Sequence, residues 1–351
     1  MGKINNYRYL LDEALSMLTG STGIDLGSVN TLAWIKGRGV KFFIPSVVAF
    51  SRNRKRVVAV GSEAKVMLEK APPDLQVVKP IQGGAISDFQ GATELIKYLL
   101  QRIYFHPSFL GPRVVVAIPA SLTSVEIKAL EEAVAQGGAR SIYMIKQNLA
   151  AALGCEIPLM DARGSMLVDI GGGVTQIAVI SLGGIVMERA HKVAGEKITE
   201  CIIQYFRENY NLFIGYHTAE DIKINSASLK EREGVLEVKG KQIFSGMPKI
   251  IQVREVEIKK AILPVVIEIL ELIKIALEEI PPELAGDIME EGMILTGGSS
   301  LLEGFEQFIE RESKIPVHRV THPFHSVVLG TAKLLTDKKL FSKMSKEGML
   351  I

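Results

Sequence analysis

Two aspartates, Asp25 and Asp169, stand 144 residues apart in the same setting: an apolar run, the acid, one apolar residue, a glycine, small residues, a threonine and a second apolar run. The stretches are GIDLGSVNTLAWI and LVDIGGGVTQIAVI. A phosphate needs several amide donors converging on its oxygens, and glycine lets the backbone come close enough and adopt positive φ. A carboxylate beside such a loop suits Mg2+ held through water, the ion neutralising the phosphates. Both loops are expected to join strand to strand, and neither GxxxxGK[ST] nor GxGxxG occurs, which sets aside a P-loop and a dinucleotide fingerprint. One such loop alone reads as a turn. Its recurrence with the acid in place, at one domain's length, points to duplicated domains that grip one polyphosphate from both sides.

Two more segments carry candidate chemistry. ILTGGSSLL (294–302) ends an apolar strand in Gly297 and Gly298 and is expected to open a helix, whose N-terminus suits an adenosine or its phosphates. TAEDIKINSA (218–227) puts Glu220 and Lys223 one helical turn apart; by itself that is a solvated ion pair.

The elements needed to hold these groups can be read along the chain. Strand-like runs punctuated by glycine from Gly23 to Phe50 suggest consecutive hairpins. RVVVAIPAS (113–121) has the continuous apolar character of a strand buried on both faces. Helical patterns cover 91–105 and 123–137, the second opening with a capping box of Thr123 and Glu126. Beyond the second glycine loop come helices over 195–210 and 218–227, a hairpin region over 235–254, a long helix over 255–279, a strand and a terminal helix. Strands mixed with helices in both halves imply two α/β units: residues 21–153, with part of 322–351 packing on them, and residues 154–321. Residues 1–20 read as an amphipathic helix with Leu11, Leu15 and Leu18 on one face.

The 351 residues, 47% apolar and 23% charged, describe an ordinary globular chain, and a net charge of +2 with no dominant basic cluster gives no support to a nucleic-acid partner. Two cysteines, Cys155 and Cys201, provide neither a disulfide framework nor a thiolate metal cage, so a reduced cytoplasmic setting is expected. The longest apolar stretch, 262–277, carries Glu268, Glu271 and Lys274 and is no membrane span.

From about Gly23 to Leu335 these segments, in this order, resemble the actin-like ATPases, and within them the MreB family of bacterial actins. The resemblance implies a two-domain, duplicated ribonuclease H-like α/β fold with a central nucleotide cleft, ATP and Mg2+ as cofactors, and self-assembly into filaments that shape the cell. It assigns phosphate contact to Ser28, Val29 and Asn30, beside Asp25 and Gly27, and to Gly171, Gly172 and Gly173. Ribose contact falls to the helix carrying Glu220, Asp221, Ile222 and Lys223, and adenosine contact to Gly297, Gly298, Ser299, Ser300 and Leu301. Asp25 and Asp169 would hold Mg2+ through water.

The chain departs from the family around hydrolysis. Lys146, Gln147 and Asn148 stand where Glu-Glu-Pro is usual, Val174 replaces a threonine and Gln176 a glutamate. Ala194, Gly195 and Glu196 replace Gly-Gly-Asp, and Ser299 replaces a third glycine. The residues left to serve hydrolysis are Gln147, Asp169, Thr175 and Glu196. Glutamine can orient a water but cannot take its proton at neutral pH, so slow hydrolysis is expected.

In IYFHPSFLGPRV (103–114) two prolines bracket Phe109 and Leu110. Exposed at a loop tip they make an apolar contact patch, and the resemblance places that loop on the inner face of the cytoplasmic membrane, with membrane proteins of the cell-shape machinery as further partners. Two other readings remain: a nucleotide-binding scaffold with little hydrolysis, and a small-molecule kinase on the same fold, for which neither a carboxylate base nor a polar substrate pocket is evident.

Overall fold

The computed structural model describes residues 15, 16, 19–104 and 111–351. Phe109, Leu110 and most of the 1–20 helix therefore lie outside the described residues. The chain divides into two units, Met1–Leu159 with Phe324–Ile351, and Met160–Pro323.

In the first unit, β1 (Ser21–Leu26), β2 (Asn30–Ile35) and β3 (Gly39–Pro45) form consecutive antiparallel hairpins. A small sheet follows, β4 (Val48–Ser51), β5 (Val57–Val60) and β6 (Leu75–Val78), with helix α1 (Ser62–Met67) between the last two. A short hairpin, β7 (Ile81–Gln82) and β8 (Ala85–Ile86), precedes α2 (Phe89–Ile103). Then come β9 (Arg113–Ile118), α3 (Ser124–Gln136), β10 (Ser141–Lys146) and α4 (Gln147–Gly154). β9 is buried along its whole length, parallel to both β1 and β10, and Thr123 and Glu126 form the capping box of α3.

The second unit repeats the plan. β11 (Ser165–Ile170), β12 (Thr175–Ser181) and β13 (Gly184–His191) are antiparallel neighbours. Helices α5 (Gly195–Tyr210) and α6 (Tyr216–Asn225) flank β14 (Leu212–Phe213), which joins the hairpin β15 (Val235–Gln242) and β16 (Pro248–Arg254) in a small sheet. Helices α7 (Glu255–Glu278) and α8 (Pro282–Glu291) lead to β17 (Met293–Thr296), α9 (Phe305–Ser313) and β18 (Val317–Arg319). The chain then returns to the first unit as α10 (Ser326–Thr336) and α11 (Lys338–Lys346), so the single terminal helix expected from sequence is three helices and a strand.

The two five-stranded sheets have one topology. The first runs β3-β2-β1-β9-β10 and the second β13-β12-β11-β17-β18, each with three antiparallel strands followed by two parallel ones. The register is conserved as well: Asp25 faces Leu32 and Asp169 faces Gln176, each pair the other shifted by 144 residues. Each unit has its own apolar core, Ile24, Phe50, Leu95 and Val116 among the first, Val168, Phe206, Ile269 and Phe305 among the second. Small residues let α10 close on α4. A Cβ on Gly330 would stand 1.7 Å from the carbonyl oxygen of Ala150 in α4, and one on Gly154 1.8 Å from that of Ser326.

Candidate functional site

Both glycine loops leave the C-terminal ends of strands central to their sheets. In the first, Gly27 N–H donates to the Asn30 carbonyl over 3.1 Å; in the second, Gly171 N–H donates to the Val174 carbonyl over 3.0 Å. These are the same bond at the same step of the repeat. Positive φ is not what the glycines supply, since neither Gly27 nor Gly171 adopts it. They supply close approach: a Cβ on Gly27 would meet the Asn30 oxygen at 2.5 Å, and one on Gly171 the Val174 oxygen at 3.0 Å.

What orients each loop is a pull on its carbonyls. Ser46 Oγ donates to the Gly27 carbonyl (2.6 Å), Ser46 N–H donates to that of Val29 (2.9 Å), and Thr31 lies 2.8 Å from Ser46 Oγ. Gly84, in the β7-β8 turn, donates its N–H to Ser28 Oγ at 3.0 Å. In the second unit Ser299 Oγ (2.6 Å) and Gly195 N–H (3.2 Å) both donate to the Gly171 carbonyl, and Glu196 N–H donates to that of Gly172 (2.7 Å). The loop carbonyls thus satisfy the first amides of α5, whose Ala194 offers no side-chain cap. Across a trans peptide C=O and N–H point in opposite directions. The amides of Ser28 in the first loop, and of Gly172 and Gly173 in the second, therefore point away from these anchors.

Glu220 and Lys223 are not the solvated pair that spacing alone suggests. Glu220 is 9% exposed, and Lys223 Nζ donates to Glu220 Oε2 (2.8 Å), Thr199 Oγ1 (2.9 Å) and the Gly195 carbonyl (2.9 Å). Thr199 donates in turn to Glu220 Oε2 over 2.7 Å. All three ammonium hydrogens are used inside the unit, which ties α6 to the first turn of α5. On the same helix Asp221 faces solvent, and Ile222 belongs to the apolar core.

The segment after β17 also differs from expectation. It opens a single 3-10 turn, Gly298–Leu301, and no α-helix. Gly297 takes φ +84°, and Ser300 Oγ bonds back to the Gly297 carbonyl at 2.6 Å, closing the turn at once. Gly297 is forced by its neighbours, because a Cβ there would stand 2.3 Å from the Ile170 carbonyl oxygen and 2.4 Å from Asp169 Oδ1. Asp169, only 3% exposed, lies directly beside this turn. Ser300 is buried and Leu301 exposed.

Of the residues expected to serve hydrolysis, Thr175 is fully buried and donates its hydroxyl hydrogen to the Val193 carbonyl at 2.6 Å, which braces the entry to α5. Glu196 is half-buried in the first turn of α5. Gln147 is the first residue of α4. Asp25 and Ile145 pair with the same residue of β9, Ala117, so Gln147 and Asp25 share one end of the first sheet. Two strand spacings, about 10 Å, separate Asp25 from Ile145, and Gln147 lies two residues beyond Ile145.

The second unit thus gathers four segments distant in sequence: the Gly171 loop, the start of α5, Glu220 with Lys223, and Gly297 to Ser299. Ser46, Gly84 and Thr199 escaped the sequence reading. Serine and threonine hydroxyls at strand ends or inside helices carry no pattern until their carbonyl or carboxylate partners are located. Among the described residues no three His, Cys, Asp or Glu side chains gather as a metal cage. Mg2+ needs fewer, since one or two carboxylates with phosphate oxygens and water suffice. Each unit carries one such carboxylate next to its glycine loop, Asp25 in the first and Asp169 in the second.

Two copies of one five-stranded sheet, each carrying an Asp-x-Gly hairpin in the same register, define the actin-like, duplicated ribonuclease H-like fold. The chain belongs to the MreB/Mbl family: residues 19–343 match the family described as MreB/Mbl protein. It is 38% identical over 323 residues to the cell shape-determining protein Mbl of Bacillus subtilis (strain 168), covering 92% of this chain and 97% of that one. It is 38% identical over 334 residues to the cell shape-determining protein MreB of Escherichia coli (strain K12), with 93% and 96% covered. Among solved structures it is similar to MreB5 of Spiroplasma citri bound to ADP, with a TM-score of 0.87, 32% identity and coverage of 93% and 98%.

Proposed function

We propose that the chain binds ATP with Mg2+, hydrolyses it slowly, and polymerises into filaments on the inner face of the cytoplasmic membrane, in a cell-shape role. The carrying observation is the twinned turn, Gly27 to Asn30 and Gly171 to Val174, each next to an aspartate in the same register. Support comes from the relatives: MreB5 of Spiroplasma citri has also been solved bound to AMPPNP, an ATP analogue, and both curated relatives above are named as cell shape-determining.

In this reading the amides of Ser28, Val29 and Asn30 and those of Gly172 and Gly173 donate to the polyphosphate. Asp25 and Asp169 hold the waters of Mg2+, which supplies positive charge against the phosphate oxygens. Glu220 presents its second carboxylate oxygen to the ribose hydroxyls, and Lys223, its hydrogens already spent, positions Glu220. Gly297, Gly298 and Ser299 let the backbone approach adenosine. Gln147 orients the attacking water without accepting its proton, and Glu196 stands near the second loop.

Membrane contact falls to Phe109 and Leu110. Each stabilises by about 1.5–3 kcal/mol when buried, which holds a filament through many copies and a single subunit only weakly. No helix of the described residues is long and apolar enough to cross a membrane. Pelleting with ATP, ADP and no nucleotide, run beside phosphate release, is the test. Nucleotide-dependent pelleting with slow release is expected; a monodisperse monomer that phosphorylates a small alcohol would overturn the reading.

A further inference from the structure

The last helix carries four lysines in nine residues. Lys338, Lys339, Ser342, Lys343 and Lys346 fall at steps of 0, 1, 4, 5 and 8 along α11. At 3.6 residues per turn they occupy one stripe, about 140° of its circumference. The opposite side is committed to the core by Phe341 and Met344, 1% and 0% exposed. Asp337 fixes the start of the helix, accepting from the amides of Lys339 (2.9 Å) and Leu340 (3.0 Å). The four lysines are exposed, and with Ser342 and Glu347 they line an open concavity of about 440 Å³. Four positive charges against a single acid in that lining exceed the +2 of the whole chain.

The position of α11 within its unit says what such a face meets. The Arg113 guanidinium lies 4.4 Å from the Phe341 ring centroid. Arg113 opens β9 directly after the segment that holds Phe109 and Leu110, and its N–H donates to the Gly20 carbonyl at 3.2 Å, where the N-terminal segment ends. The loop base, the end of the N-terminal segment and α11 therefore meet at the start of β9. The Gly27 loop and Gln147 leave from the other ends of the parallel strands.

We propose that the lysine face of α11 is an electrostatic docking surface for the anionic headgroups of a lipid bilayer; this rests on the reading of a membrane-borne filament and adds a lipid preference to it. Four exposed ammonium groups along one helix face, with no exposed aromatic or arginine anchor among them, suit a diffuse plane of negative charge. An acidic peptide would need buried anchors that this face does not offer.

The test uses full-length protein polymerised with ATP and sedimented with phosphatidylcholine vesicles, or with vesicles containing about three-tenths phosphatidylglycerol. Each lysine near such a surface is worth about fivefold in partitioning. Replacing Lys338, Lys339, Lys343 and Lys346 together by Gln should lower binding to the anionic vesicles several-hundredfold and leave binding to the neutral ones unchanged. High salt should erase the wild-type preference. Phe109→Ser with Leu110→Ser should lower both arms, so that its failure would count against the loop reading alone. If the quadruple variant misfolds, Lys339→Gln with Lys346→Gln carries the test with a loss of about 25-fold. Anionic vesicle binding at the wild-type level in the variants, or no anionic preference in the wild type, overturns the proposal. Loss of polyglutamate binding alone would do so too, marking an acidic protein partner.

Discussion

Ser299 donates its hydroxyl hydrogen to the carbonyl oxygen of Gly171 over 2.6 Å, joining the turn after β17 to the second glycine loop across 128 residues of chain. The family's usual residue at Ser299 is a glycine, which has no such bond to give. The hydroxyl holds the Gly171 carbonyl back and so aims the Gly172 amide away from α5. Ser299→Gly and Ser299→Ala should each cost about 0.5–1.5 kcal/mol of stability and weaken ATP binding several-fold by calorimetry. Unchanged affinity in both would show that the loop holds its orientation without this bond.

Glu220 and Lys223 form one unit with Thr199, and their variants should not be additive. Lys223→Met leaves a buried carboxylate with only the Thr199 hydroxyl, and should cost about 1–3 kcal/mol. Glu220→Gln retains a donor-acceptor group and should cost less, while weakening nucleotide binding more. A double variant whose loss equals the sum of the two singles would show that Lys223 acts independently of Glu220.

Gly297 and Gly37 separate backbone strain from steric clash. Both have positive φ, +84° and +80°, but a Cβ on Gly37 meets nothing within 4 Å, whereas one on Gly297 meets Ile170 and Asp169. Gly37→Ala should cost about 1–2 kcal/mol. Gly297→Ala adds displacement of Asp169 and should cost about 2–5 kcal/mol with loss of Mg-ATP binding. Equal melting temperatures for the two variants would contradict this account.

Gln147 begins α4 where the family commonly has glutamate. Gln147→Glu supplies a group that can accept the water's proton and should raise phosphate release under single-turnover conditions, about tenfold or more, with ATP affinity little changed. Gln147→Ala should lower it. If all three proteins release phosphate at one rate, the residue takes no part in hydrolysis.

Tyr210 donates to Glu257 at 2.6 Å. Burial first, and then that bond, push the Tyr210 phenol up to about 12 from 10.0, so the folded state keeps a proton that the unfolded chain has lost. The resulting stability is complete below about pH 10 and is lost as pH rises through 12. Glu257 is held below its ordinary value, first by the Tyr210 bond, so its contribution is present above the unfolded carboxylate pKa and is lost as pH falls through the folded one. The stability difference between wild type and Tyr210→Phe should be flat from about pH 6 to 9 and shrink on either side. A difference independent of pH would assign the loss to packing alone.

Much of this protein is legible in its residues alone. The repeated Asp-x-Gly pattern identified the duplication, because an acid and glycines at one spacing require the same turn wherever the chain forms it. The buried run at 113–118, the helices at 124–136 and 195–210 and the Thr123 capping box follow from periodicity and local side-chain bonding, which depend on near neighbours. Other features came from contacts that no local pattern encodes. Spacing put Glu220 and Lys223 on one helical face, and only the packing of α6 against α5 made them a buried pair shared with Thr199. Ser46 and Ser299 became anchors because distant strands brought a hydroxyl to a glycine carbonyl. Thr175 braces the entry to α5 because folding brings the Val193 carbonyl within its reach. Sequence determined which turns and elements could form, through backbone sterics and apolar period. Tertiary structure decided which polar groups would meet, because hydrogen-bond partners more than a hundred residues apart exist only once the chain has folded.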